Sequence, residues 1–574
     1  MRIPMLLALV AFGSVVFGQT AEEVDDLVAK IDGFEVADLP EQGELVLGVD
    51  QSLTVDDLRD VPLDDNPPQL GTPAETYDPR MTDDFGPGDA PYVAEGIGPF
   101  RFEHFNCEFN YGGWHNWAMV DYASTRGFGI LSSYNHKPDD WQHVPEETSW
   151  LTWGGHVNWH KWMPEHGLED GRYDLLVDVD VEQILADEGT FERKPGYDHL
   201  MIDMEHGRLG PEKLREQEWY PAEGTEAERS AFEKRYYDGY AKTYTGPVNA
   251  ARAVGYTNIS VYGWEPVPRT WHGLEKKTAD PATDFGWNAF GKAIYESVDI
   301  LNPSVYCFYW SPQNVAYTLA SIDLNMQLVD SMPTRKPVRP YYWTLLHGGG
   351  GGWRWWKNQP NRDEDMRAMT AMCFFTGCDG FDSWNWSGTG THHHPKVEAE
   401  ADVIVGSAFD CAPEGGGEPK TFARYDALHI LSVEEGTARF QLIAKGDSKA
   451  NYQVGDDYPV YSMGQDELTP ALRPQSAPVA AMIEGMALVK PLEYTLRHGE
   501  VKIDVSAQKQ FAETLPIVRR VKLDGYHVLV TYDPAWRTQD EPRVIALDSF
   551  DGREGLSVRL PADAQTRLFV LRDQ

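Results

Sequence analysis

The stretch His199-Leu-Met-Ile-Asp203-Met-Glu205-His206-Gly207 carries the most suggestive chemistry in the chain. An apolar run ends in two acids one residue apart, and a polar loop follows. If the run is a strand, residues two apart point the same way, so both carboxylates face one side of its end. Carboxylates held that close do not both ionise freely, and the raised pKa of one suits a general acid near neutral pH. Glu205 is the candidate acid and Asp203 its partner; the alternative is a solvated loop start, where Asp and Glu are common. A third acid, Glu265, ends Ile259-Ser-Val-Tyr-Gly-Trp264-Glu265-Pro266. It is either a second catalytic carboxylate from a neighbouring strand or half of an ion pair with Arg269.

Groups on different segments meet only if those segments end together. The middle of the chain alternates short apolar runs with amphipathic helical ones. Strands are expected over residues 101–105, 127–131, 173–177, 199–202, 259–262, 305–309, 341–345 and 380–384, with helices over 228–254, 287–298 and 362–375. Eight such units predict an α/β fold, a (β/α)8 or TIM barrel over residues 91–415, whose active sites sit at the strand C-termini. Residues 19–90, rich in Asp, Glu and Pro, are expected to form an N-terminal extension. Asp524-Gly525 between two β-rich runs is a two-residue hairpin signal, and Asp551-Gly552 repeats it. An all-β sandwich domain is therefore expected over residues 420–574.

The chain has 574 residues, of which 41% are hydrophobic, enough for one large domain and a smaller one and too many for a disordered chain. No sustained period marks a collagen or coiled coil. Ninety acidic against fifty basic residues give a net charge of −40, which repels nucleic acid and anionic lipid. Arg2, the apolar run Met5 to Phe17 and small Gly18 read as an export signal over residues 1–18. That run is shorter than the ~20 residues of a membrane span. The expected location is secreted or periplasmic, without membrane insertion. The five cysteines are few; Cys373 and Cys378 either pair locally or stay as buried thiols. With no CxxC pair, and with His392-His393-His394 unable to face one ion together, no metal and no cofactor are expected.

Eighteen of the nineteen tryptophans lie between Trp114 and Trp386. Flat indole faces stack on the apolar faces of sugar rings. Trp264, Trp310, Trp343, Trp384 and Trp386 fall at or just past expected strand ends, which predicts a cleft for a polysaccharide or oligosaccharide partner. Candidate hydrogen-bonding groups are Glu103 and His104 after the first strand, His136 after the second and His156 before the fourth. Tyr306 and Tyr309 follow on the sixth, His347 after the seventh and Asp382 on the eighth. Gly348 to Gly352, followed by Trp353, Trp355 and Trp356, is either a closing loop with aromatic cargo or a plain surface loop.

Ile202-Asp203-Met204-Glu205 resembles the Ile-Asp-Trp-Glu strand of hyaluronidases and, more widely, the chitinase-like glycoside hydrolases. The longer chitinase pattern Asp-x-x-Asp-x-Asp-x-Glu is met at Asp198, Asp203 and Glu205 and departs from it at Met201. The resemblance spans about a third of the expected barrel. It implies a glycosidase in which Glu205 protonates the glycosidic oxygen and the substrate's own acetamido oxygen attacks the anomeric carbon. Asp203 would orient that acetamido group, Tyr309 or Tyr306 would bond it, and Trp384 or Trp386 would floor the sugar. Two alternatives stand. One is a retaining hydrolase of a non-acetamido sugar, such as a sulfated fucan, using Glu265; carboxylates about 5–5.5 Å apart retain configuration and those about 6.5–9.5 Å apart invert it. The other is a non-catalytic carbohydrate-binding protein.

Overall fold

The structure is a computed structural model. It describes residues 19–39, 45–68, 93–110, 122–132, 149–152, 157–193, 196–197, 199–204, 207, 209–262, 271, 274, 291–309, 311–347, 361–384, 403–405, 409–411, 420–422, 427–434, 437–444, 454–455, 457–461, 477–534, 541–547 and 556–573.

Eight strands share one parallel sheet: β1 (Asn106–Asn110), β2 (Gly129–Ser132), β3 (Ser149–Thr152), β4 (His199–Asp203), β5 (Asn258–Tyr262), β6 (Ile300–Asn302), β7 (Tyr341–Trp343) and β8 (Gly380–Trp384). The order is β6-β5-β4-β3-β2-β1-β8-β7, so first and last strands are neighbours. The two end strands of that order meet through parallel bridges, Leu301 to Val338 and Ser304 to Tyr341. Because side chains alternate along a strand, each strand feeds two surfaces. Cys107, Phe109, Ile130, Leu200, Ile202, Ile259, Val261, Leu301, Tyr342 and Phe381 join the large core under the helices. The intervening residues face inward, where Leu131, Met201, Tyr306 and Tyr341 form a separate small cluster.

Three expected strands differ. The first begins at Asn106 rather than at residue 101, and the sixth covers Ile300–Asn302 rather than 305–309. The run Tyr173–Asp178 is a 3-10 helix, and the third strand is Ser149–Thr152. Tyr173 and Leu176, three apart, bury together there, and Arg172 clamps Asp174 with two hydrogen bonds of 2.8 Å. That local clamp and i,i+3 burial favour a 3-10 turn over an extended run.

The expectation of an all-β stretch over 420–574 is corrected. Strands are present, and the Asp524-Gly525 turn has positive φ at both residues, as a two-residue hairpin requires. Between them, however, lie helices Ala477–Val489, Glu493–His498 and Ala507–Glu513. Ala477–Val489 is rich in Ala and Met, good helix formers, and packs on helix Asp363–Cys373. Gly485 makes that packing close, since a Cβ there would sit 2.5 Å from the Arg367 carbonyl oxygen. The N-terminal extension is woven in as well. Strand Ala37–Asp38 pairs with Arg567–Arg572, strand Leu45–Leu47 pairs with Leu556–Leu560, and Val24, Leu27, Ile31 and Phe34 enter the main core. Cys373 and Cys378 are buried free thiols.

Helix α1 (Glu226–Ala253) starts with a capping box, Thr225 and Glu228 satisfying each other's backbone N–H. Its Gly239 lies against the 3-10 helix, where a Cβ would fall 1.7 Å from the Tyr173 carbonyl oxygen. Gly239→Ala gains about 1 kcal/mol of helix propensity and loses more to the clash. We expect a net destabilisation of about 1–3 kcal/mol in denaturant titration. A variant as stable as the wild type would mean that α1 is not held at this contact.

Candidate active site

Parallel strands put all their C-terminal ends on one side, and the inward residues there are aromatic and acidic. Asp203 is the last residue of β4 and only 6% exposed; in register it stands beside Tyr262 at the end of β5. Trp384 of β8 is level with Trp343 of β7. Tyr306 is the hub of the ring set: its centroid lies 6.0 Å from Tyr262, 5.3 Å from Trp343 and 5.6 Å from a stacked His347. Tyr262 also meets Tyr341 edge-on at 4.9 Å. Tyr306 and Tyr341 are buried, whereas Tyr262, Trp343, His347 and Trp384 are half-buried and present ring surface at the mouth.

The phenols are tuned to remain protonated. Burial pushes Tyr306 and Tyr341 well above the ordinary phenol range, and the charge of Asp203 pushes both the same way. The Asn110 amide donates to the Tyr341 hydroxyl at 2.9 Å and partly offsets this. Neutral hydroxyls beside a carboxylate can donate hydrogen bonds to a ligand's oxygens but cannot serve as bases at physiological pH.

One step toward the strand N-termini lies a second inward layer that is polar and dry. The Arg339 guanidinium contacts Glu108 Oε2 at 2.7 Å and Asp382 Oδ1 through both Nη2 and Nε, the latter at 3.1 Å. The Asn302 amide donates to the other Asp382 oxygen at 2.6 Å, and His199 Nδ1 lies 3.4 Å from Glu108. His199 Nε2 is 2.8 Å from the Ser260 hydroxyl. Ser260, His199 and Glu108 thus stand in the order of an acyl-transfer triad. Ser260 is fully buried, however, and no substrate carbonyl reaches it. Their chemistry is electrostatic. Two carboxylates face one guanidinium in a layer without solvent, so the group balances its charge with one extra proton. Burial pushes Asp382 up to about 8, with Glu108 adding to the effect and Arg339 opposing it, while desolvation pushes His199 down.

The expected site residues separate as follows. Asp203, Tyr306, Trp343, His347 and Trp384 come together at the mouth. Asp382 lies in the buried layer beneath it, not on the cleft surface. Glu103 and His104 are corrected: because β1 starts after them, they sit at its N-terminal end, the far side from Asp203. There both backbone N–H groups donate to Glu493, and the His104 ring packs on Tyr494 and His498. Tyr309 turns away to the outer core and meets Trp271 at 4.9 Å. Glu205, Glu265, His136, His156, Trp264 and Trp386 lie outside the described residues. Tyr262, Tyr341, Glu108 and Arg339 were not singled out in the sequence. Their signal was a polar or aromatic residue at every second position of an otherwise apolar strand.

The buried layer predicts a pH effect on stability. Folded, Asp382 holds its proton up to about pH 8; unfolded, it loses it near its ordinary 3.8. The native state therefore binds the extra proton in that window, and this contribution to stability declines as pH rises through it. Glu108→Gln removes one cause of the raised value, so its stability falls less steeply from about pH 5 to about pH 8, by up to about 1.4 kcal/mol per pH unit. Parallel denaturation curves for the two proteins across this range would refute the shared-proton account.

In chain trace the molecule is similar to bee venom hyaluronidase in complex with a hyaluronic acid tetramer, at 18% identity and a TM-score of 0.25, over 35% of this chain and 64% of that one. It is similar to the acarbose-soaked debranching enzyme of Nostoc punctiforme at 10% identity and a TM-score of 0.30, over 81% and 85% of the two chains. It is also similar to the isomaltulose synthase of Protaminobacter rubrum at 9% identity and a TM-score of 0.30, over 69% of each chain. The chain thus spans just under two thirds of the hyaluronidase's length. No protein-family model and no curated protein sequence matches it.

Proposed function

We propose that the chain is an exported glycoside hydrolase, a (β/α)8 barrel with its site at the strand C-termini, acting on a polysaccharide that carries acetamido sugars. The observation that carries this reading is the end of β4: a buried carboxylate, Asp203, opens toward half-buried aromatic rings and neutral phenol hydroxyls. Rings offer stacking surface for the apolar faces of a sugar, and hydroxyls and a carboxylate bond its polar edge.

In this mechanism Glu205, two residues beyond Asp203, protonates the glycosidic oxygen. The acetamido oxygen of the sugar attacks the anomeric carbon as the bond to the leaving sugar breaks, giving a cyclic intermediate. Water, losing a proton to Glu205, then opens it. Asp203 orients the acetamido group and balances its developing positive charge. Tyr306, beside Asp203 and capped by His347, is the group that bonds the acetamido oxygen, and Trp384 with Trp386 floors the sugar. Residues 1–18 serve as the export signal, and the C-terminal strands and helices buttress the barrel.

The test is reducing-end release from hyaluronan, chondroitin, chitin oligomers and sulfated fucans by the mature protein, Glu205→Gln, Asp203→Asn and Glu265→Gln. Cleavage confined to acetamido sugars is expected, with kcat lower by about 100-fold to 10,000-fold in Glu205→Gln, the range for a lost general acid. Cleavage of a fucan that needs both Glu205 and Glu265 would replace this reading with the two-strand pair. Oligosaccharide binding that Glu205→Gln leaves unchanged, with no product from any sugar, would replace it with a binding protein.

A further inference from the structure

The buried layer beneath the mouth is more elaborate than packing requires, and several of its members stand two or four residues before a residue nearer the mouth. On β4, His199 is followed on the same face by Met201 and then Asp203. Ahead of β7, Arg339 is followed by Tyr341 and then Trp343. On β8, Asp382 is followed by Trp384, and on β1 Glu108 is followed by Asn110, whose amide holds the Tyr341 hydroxyl. Residues two apart on a strand share a face about 6.5–7 Å apart, so displacing a lower residue along its strand displaces the one above.

Arg339 is the point where these strands are tied. Its guanidinium bridges Glu108 and Asp382, and Glu108 passes the link on to His199. Its backbone N–H donates to Leu301 at 2.8 Å, and its carbonyl accepts from Asn302 at 2.9 Å, which fixes β6. Arg339 itself is 4% exposed and lies below the Tyr341 layer, so it does not touch a ligand at the mouth.

We propose that Arg339 is a positioning residue: through Glu108 and His199 it sets Asp203, and through Asp382 it sets Trp384, holding the carboxylate at a fixed distance from the sugar-binding floor. This rests on the reading of the mouth as a glycosidase site. A planar fork that serves two carboxylates at once is not replaced by an ammonium, which makes a single point contact.

The experiment compares wild type, Arg339→Lys and Glu108→Gln by thermal melting, by kcat and KM on the polysaccharide the wild type cleaves best, and by crystal structures. Glu108→Gln keeps the Arg339–Asp382 pair and removes the second acid, so it supplies the answer if Arg339→Lys does not fold. A displacement on the order of 1 Å costs about 100-fold in rate. We expect folded variants with kcat lower by about 10-fold to 100-fold and KM within about threefold of wild type. Asp203 and Trp384 should be displaced relative to each other. Folded variants with unchanged kcat, or a loss matching only the fraction unfolded, would overturn the proposal. If the wild type cleaves nothing, the glycosidase reading fails on its own. The crystal structures then decide positioning: superposed Asp203 and Trp384 overturn it, and a shift supports it.

Discussion

Everything at the mouth stands on one desolvated cation. Arg339 is withdrawn from water among eight strands, and its charge is repaid only by the fork it extends to Glu108 and Asp382. Buried ion pairs add little net stability compared with an apolar replacement, whereas breaking one by removing a partner costs about 3–5 kcal/mol. Such a cluster therefore specifies an arrangement more than it stabilises one. An aliphatic layer would allow neighbouring strands to slide without a large penalty. A guanidinium held between Glu108 and Asp382 does not.

The inner and outer faces follow from sequence alternation once the strands are known, and strand legibility varied for physical reasons. β4, β5 and β8 are largely buried on both faces: β4 carries the unbroken apolar run Leu200–Ile202, and in β5 Ile259 and Val261 flank Ser260 as strand alternation requires. β1 reads Asn-Cys-Glu-Phe-Asn, with polar residues inward, and looked like a loop; the more aromatic run just before it drew the expectation five residues early. Tyr173–Asp178 misled for the converse reason. Its apolar content suits a strand, but burial at a spacing of three and the Arg172–Asp174 clamp decide otherwise. Among the candidate residues, Asp203 stood out because it ends an apolar run in Asp-x-Glu, whereas Tyr306 entered only beside Tyr309, through the family resemblance. Glu108 and Arg339 did not stand out, since their partners lie on strands far apart in sequence.

The C-terminal portion is joined to the sheet domain by further buried charges. Arg519, fully buried, makes a two-point pair with Asp323 of helix Asn314–Asp330, and Tyr532 donates to Asp365. Glu484 accepts from Arg367, and Glu493 caps the backbone before β1. Hairpin turn chemistry announced the strands of this region. Helix Ala477–Val489 was hidden because it is buried almost all round, so its apolar residues show no period of 3.6.

The pairing of residues 37–38 with Arg567–Arg572 has a consequence for how the molecule is made. Leu53 exchanges two backbone hydrogen bonds of 2.8 Å with Leu568, so a segment is completed by one that leaves the ribosome some five hundred residues later. Contacts of such sequence separation form late and slow folding. The early segment, with Val24, Leu27, Ile31 and Phe34 unburied, must wait through the synthesis of some five hundred residues.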